Sequence, residues 1–151
     1  MKSWQADAVG YGRRPYMLRS HFRQVETVSR QEMISRTLEA AKTNLKMNLS
    51  GPKFYNSIEA LQHFAEDLHG GCGEKMRDML VYFSLPLGAR RSLDAAAFFL
   101  EAGFPEAATL LERKAMLYGR AQQHAVDRCF NEIAEVVQKM AKNEEMLIAV
   151  L

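Results

Sequence analysis

Residues 69–75 read HGGCGEK, and the fold turns on whether this stretch is a phosphate cradle, a reactive-thiol loop or a break between helices. A phosphate loop needs GxxxxGK[ST] after a strand, yet the residues before His69 carry a helical period. Ile58, Leu61, Phe64 or Ala65, and Leu68 recur at three- and four-residue spacing. Carried on in phase, the stripe meets Cys72, Met76, Met79 or Leu80, and Phe83. Cys72 therefore falls on the inward face, where a thiol is inert, although His69 stands three residues away as a base. Glycines cost about 1 kcal/mol each inside a helix, and Gly70, Gly71 and Gly73 suit a kink or a tight corner instead. The stretch is read as a hinge between two helices, or within a broken one.

Upstream, Ser29-Arg30-Gln31-Glu32 forms a capping box. Ile34, Leu38, Ala41, Leu45 and Leu49 then mark one apolar face, and Ser50-Gly51-Pro52 stops the helix. Asn56-Ser57 starts the next, and either residue can cap it. Downstream, Leu85-Pro86-Leu87-Gly88 reads as a helix end, with Ser92 capping a short helix that carries Leu93, Ala96, Ala97 and Leu100. Gly103-Phe104-Pro105-Glu106 is a compact junction, with glycine past one helix end and proline and an acid opening the next. That next helix offers Ala108, Leu111, Ala115 and Tyr118 and closes near Gly119. A last helix carries Val126, Phe130, Ile133, Val137, Met140, Glu144, Leu147 and Leu151, a heptad stripe with one polar interruption. At about 30 residues it would run ~45 Å, longer than one small bundle covers.

These elements predict an all-α protein, an irregular bundle of five or six helices over residues 29–151, preceded by an extended basic arm over residues 1–28. The chain's 151 residues suit one such bundle. No apolar run approaches the roughly 18 to 20 residues of a membrane span. The two cysteines, Cys72 and Cys129, make neither a disulfide framework nor a CxxC metal site, which fits a reducing compartment. Met1–Arg14 lacks the apolar stretch of a signal peptide, so an intracellular, cytoplasmic protein is expected. Net charge is +2, unevenly spread. Lys2, Arg13, Arg14, Arg19 and Arg23 against Asp7 give residues 1–25 a charge of +4, which leaves −2 for the rest.

The segment FFLEAGFPEAATLLERKAML resembles the helical hairpin of a tetratricopeptide unit, with Gly103, Ala108 and Ala115 in the small-residue places. The resemblance covers about 20 residues, and no second copy follows at a period near 34. Arg120 and His124 make the chain similar to hairpins of HEPN-type ribonucleases, which would imply RNA cleavage by that pair. Three residues separate them where that family has four to six, and the hairpin comes late in the chain. Glu59, His63 and Glu66 share a helix face, and Glu66-Asp67-Leu68-His69 is one ExxH, but a di-iron bundle uses that motif twice with further glutamates. No metal and no cofactor is therefore expected.

The arm is the feature that folding explains least. Trp4, Tyr11, Tyr16 and Phe22 are interleaved with its arginines. Such a segment suits a protein partner, since arginine and tyrosine anchor interfaces. It equally suits nucleic acid, and its composition is also that of a targeting segment. The expected function is a non-catalytic helical interaction module, self-associating or joined to a larger assembly as a subunit or adaptor. Its interface would comprise Val126, Phe130, Ile133, Val137, Met140, Leu147, Val150 and Leu151, with arm contacts from Trp4, Tyr11, Arg13, Arg14, Tyr16, Arg19, Phe22 and Arg23. A nucleic-acid-associated regulator using the arm and a small HEPN-like ribonuclease are the alternatives.

Overall fold

The computed structural model describes residues 26–47 and 55–151. The chain divides into two compact units, Met1–Arg30 and Gln31–Leu151, and the first is described only at residues 26–30. Every regular element among the described residues is helical: α1 Arg30–Lys46, α2 Ser57–Leu68, α3 Glu74–Met79, a π-helical turn Leu80–Ser84, α4 Leu85–Glu101, α5 Pro105–Val126 and α6 Phe130–Val150. Helical dihedrals at Met79, Leu80, Ser84 and Leu85 join α3, the π turn and α4 into one path. The described residues thus form five continuous helices and contain no strand.

The glycine stretch is the break that its composition implies. α2 ends at Leu68, Gly71 takes φ +76° with its N–H donating to the Leu68 carbonyl at 2.9 Å, and α3 begins at Glu74. The apolar phase does not survive that corner. Leu80 and Val81 are buried, while Met76, Met79 and Phe83 face out.

Pro86 does not end a helix, because the π turn lies immediately before it. An α-helical proline clashes with the carbonyl four residues back. Here Leu85 N–H donates to Leu80 O, five residues back, and the widened turn makes room for the ring. Ser92 accordingly caps nothing. It is buried within α4, its hydroxyl donating to Gly88 O at 2.9 Å. α4 then stops at a Schellman motif, with Phe104 N–H on Phe99 O at 2.8 Å and Gly103, at φ +86°, on Leu100 O at 3.1 Å. The Phe99 and Phe104 rings meet edge to face across it, their centroids 6.4 Å apart.

α5 does not close at Gly119 but runs on to Val126. The long terminal helix is in turn divided. Cys129 N–H donates to His124 O at 2.9 Å, Arg128 sits at φ +61°, and α6 starts at Phe130. Val126 therefore belongs to the end of α5.

α6 is the centre of the fold, packed between α2 and α5. Its first half joins Ala65, Leu68, Leu80, Val81, Leu85 and Leu117 in one core. Its second half reaches a smaller core of Ala96, Phe99, Ala107, Ala108 and Leu111, against which Leu38, Ala41 and Leu45 of α1 pack. Two polar groups on α6 are buried with it. Glu144 pairs with Lys114 at 2.5 Å, and Asn143 donates to Leu110 O at 2.9 Å.

Candidate functional site

Two corners of the chain clasp each other and so set the direction of α3. Arg77, largely buried, donates from Nε to Ala125 O at 3.1 Å and from Nη2 to Val126 O at 3.4 Å, capping the end of α5. Arg128 reaches back to Glu74 through both terminal guanidinium nitrogens, Nη1 to Oε1 and Nη2 to Oε2, the latter at 3.1 Å. His69 Nδ1 lies 3.3 Å from Asn131 Oδ1. The motif that opened the sequence question thus binds the α5–α6 corner. Cys72 packs against the core beside it. Burial first, and then the Glu74 carboxylate, push its thiol pKa up, with Arg77 opposing; that suits a structural thiol rather than a nucleophile.

The π turn completes the positioning. In the widened register Val81 O would be met by the N–H of residue 86, and proline has none. Gln122 of α5 supplies the missing donor, its Nε2 lying 2.8 Å from Val81 O. Leu80 and Val81 are held inward by this bond and by the core. Met76, Met79, Tyr82 and Phe83 then stand on the opposite side, exposed by 49%, 53%, 77% and 60% respectively. Four large apolar side chains at helical spacing form one outward ridge. Phe83 also borders a groove of about 450 Å³ between α4 and α5, lined by Leu87, Gly88, Arg91, Lys114 and Tyr118.

Residues 51–151 match the model of a protein family described as the YobF C-terminal domain. The chain belongs to that family. The match spans α2 to α6, so the YobF C-terminal domain contains both clasped corners, the ridge and both halves of α6, whereas α1 precedes it. No curated protein and no solved structure matches the chain.

Within the YobF C-terminal domain the residues expected at an interface fall into two groups. Ile133, Val137, Met140 and Leu147 are fully buried in the domain's own cores. A helix flanked on two sides closes its heptad stripe internally, so these four offer no surface to a partner. Phe130, Val150 and Leu151 are half-buried against the same cores, and Val126 is exposed. The arm residues Trp4, Tyr11, Arg13, Arg14, Tyr16, Arg19, Phe22 and Arg23 lie outside the described residues.

Arg120 and His124 stand one turn apart on α5, the arginine exposed and the histidine half-buried. His63 stacks on Tyr55 with centroids 3.8 Å apart and lies 3.2 Å from Glu66. Among the described residues no three His, Cys, Asp or Glu groups are gathered closely enough to hold a metal. No described helix is long and apolar enough to cross a membrane. The ridge itself was within reach of the sequence. Residues 79–89, MLVYFSLPLGA, contain no charge, which is the signal that an apolar surface lies there.

Proposed function

We propose that this domain is a non-catalytic protein-interaction module, serving as a subunit or adaptor in an assembly. The observation that carries the reading is the Met76–Met79–Tyr82–Phe83 ridge. At about 200 Å² for each large side chain, the four expose roughly 480 Å². That lies in the range of the largest apolar patch on an ordinary monomer, roughly 300 to 600 Å², where such patches are often functional. Methionine and aromatic residues are also the types that protein interfaces enrich. The scaffold beneath the ridge supports the same reading. Arg77, which caps the end of α5, and Gln122, which donates to Val81 O, fix the direction of this segment and so keep the apolar face outward.

The test is retention of protein partners, further copies of the chain included, on the immobilised full-length chain. Wild type is compared with Tyr82→Glu and Phe83→Glu, and with Met116→Glu as an equally exposed control away from the ridge. Loss of specific partners in the two ridge variants alone is the expected result. Equal retention by all four chains would sink the reading.

A further inference from the structure

We infer that the ridge pairs with the same ridge on a second copy of this chain, across a two-fold axis that sets the two helices antiparallel. The inference rests on the interaction reading above and names its partner. Three observations favour a second copy over an unlike protein.

The first is charge. A two-fold contact places a segment against itself, so any charge on it meets its own like. Three of its four side chains, Met79, Tyr82 and Phe83, lie in the run 79–89, which carries no charge to repel. Of the charged groups at its ends, two pairs are matched within the chain, and Lys75 stands beside Met76 at the outer end, away from an axis at Leu80. Asp78 accepts from Arg77 at 3.0 Å, and Arg90 reaches Asp94 at 2.9 Å.

The second is pairing. If two antiparallel copies cross beside Leu80, Met76 of one stands opposite Phe83 of the other, and Met79 opposite Tyr82. Every methionine then meets an aromatic ring, a contact favourable for the polarizable sulfur. A parallel arrangement would set methionine on methionine and ring on ring. The order Met, Met, Tyr, Phe along one face is thus self-complementary only in the antiparallel sense.

The third is area. Two ridges of roughly 480 Å² bring the apolar area alone close to the ~1,000 Å² that a specific interface requires. Leu87, which lines the groove beside Phe83, extends it further.

Sedimentation equilibrium of the full chain over the micromolar range tests the stoichiometry. A dimer is expected, and Tyr82→Glu should raise its dissociation constant about 30-fold or more, as loss of an interface anchor does. At dilutions where the wild type is itself monomeric, the thermal unfolding midpoint of that variant should match the wild type's, since Tyr82 is exposed in the single chain. Register is read by mild oxidation of single-cysteine chains, with Cys72 and Cys129 replaced by alanine. A mixture of Met76→Cys and Phe83→Cys chains should cross-link to each other in preference to themselves. A wild-type monomer throughout, a dimer indifferent to Tyr82→Glu, or preferential Met76→Cys self-cross-linking would each overturn the inference. If it falls while the ridge variants still lose other partners, the interaction reading stands without self-association. If both fail together, the interaction reading falls too.

Discussion

Gly88 carries the sharpest energetic prediction in the domain. It lies within α4, and a Cβ built on it would sit 2.6 Å from Cε1 and Cζ of Tyr118 and 2.9 Å from Cδ1. Carbon atoms reach optimal contact near ~3.5 Å, so Gly88→Ala must drive the ring back by roughly 1 Å. The ring packs against the larger core, so that retreat disturbs its neighbours. Overpacking of this kind costs about 1 to 3 kcal/mol. Alanine's better helix propensity returns about 1 kcal/mol. The net effect is a loss of about 1 kcal/mol, or a Tm lower by about 2 to 4 °C for a chain of this size.

The diagnostic feature is a change of sign. In a Tyr118→Ala background the three atoms nearest the new methyl group are gone, and Gly88→Ala should stabilise by up to about 1 kcal/mol. Chemical denaturation of the four chains in the cycle measures the coupling, expected at about 1 to 3 kcal/mol. Gly119 serves as the control. It lies within α5 with no atom within 4 Å of its would-be Cβ, so Gly119→Ala should be neutral or stabilising in either background. A stabilising Gly88→Ala in the wild-type chain, or no coupling to Tyr118, would refute the close approach of α4 and α5 at this point.

Two further substitutions probe the buried polar groups. Lys114→Met strands Glu144, whose side chain is only 8% exposed, and should cost about 2 to 4 kcal/mol, near the range for removing one partner of a buried pair. The double variant Lys114→Met/Glu144→Leu should recover most of that loss, by urea unfolding, because no unpaired charge remains. Gln122→Leu removes the donor to Val81 O and should cost about 1 to 2 kcal/mol. Adding Pro86→Ala supplies a backbone N–H in its place, so a thermal melt of that double variant should regain part of the lost stability.

Much of the architecture could be read from residues whose backbone preference is local. Asn56 precedes α2, the three glycines mark its end, and Gly103-Phe104-Pro105-Glu106 joins α4 to α5, because each signal acts within a few residues. Asn56 serves differently from the expectation, however. Its side chain makes no cap hydrogen bond within α2 and donates to Met47 O at 2.9 Å. The errors lie where a local signal is answered from far along the chain. Pro86 reads as a stop unless Gln122, 36 positions on, is known to satisfy the carbonyl it orphans. Arg128 takes the left-handed position that glycine usually fills, so nothing in Val126–Phe130 announces a turn. The heptad spacing runs across that turn unbroken, which made two helices look like one. Gly119 gives the opposite error, a glycine inside a helix with no turn to make.

The same spacing also misplaced the surface available to partners. A heptad stripe states that a helix has an apolar face, not whose side chains cover it. For α6 the cover comes from α2 and α5, and Ile133, Val137, Met140 and Leu147 have no exposure left to contribute. The surplus appears at α3 instead, for a reason that is geometric rather than compositional. The corner at Gly71 breaks the phase, so that Leu80 and Val81 turn in while Met76, Met79, Tyr82 and Phe83 share the opposite arc of the helix. An apolar run buried on one side only has more side chains than the core can take. The excess must then sit in water or against another surface. Because the four ridge side chains contribute little to the fold's own core, shortening them should leave the stability of the single chain nearly unchanged while altering association. Shortening their counterparts on α6 should do the reverse.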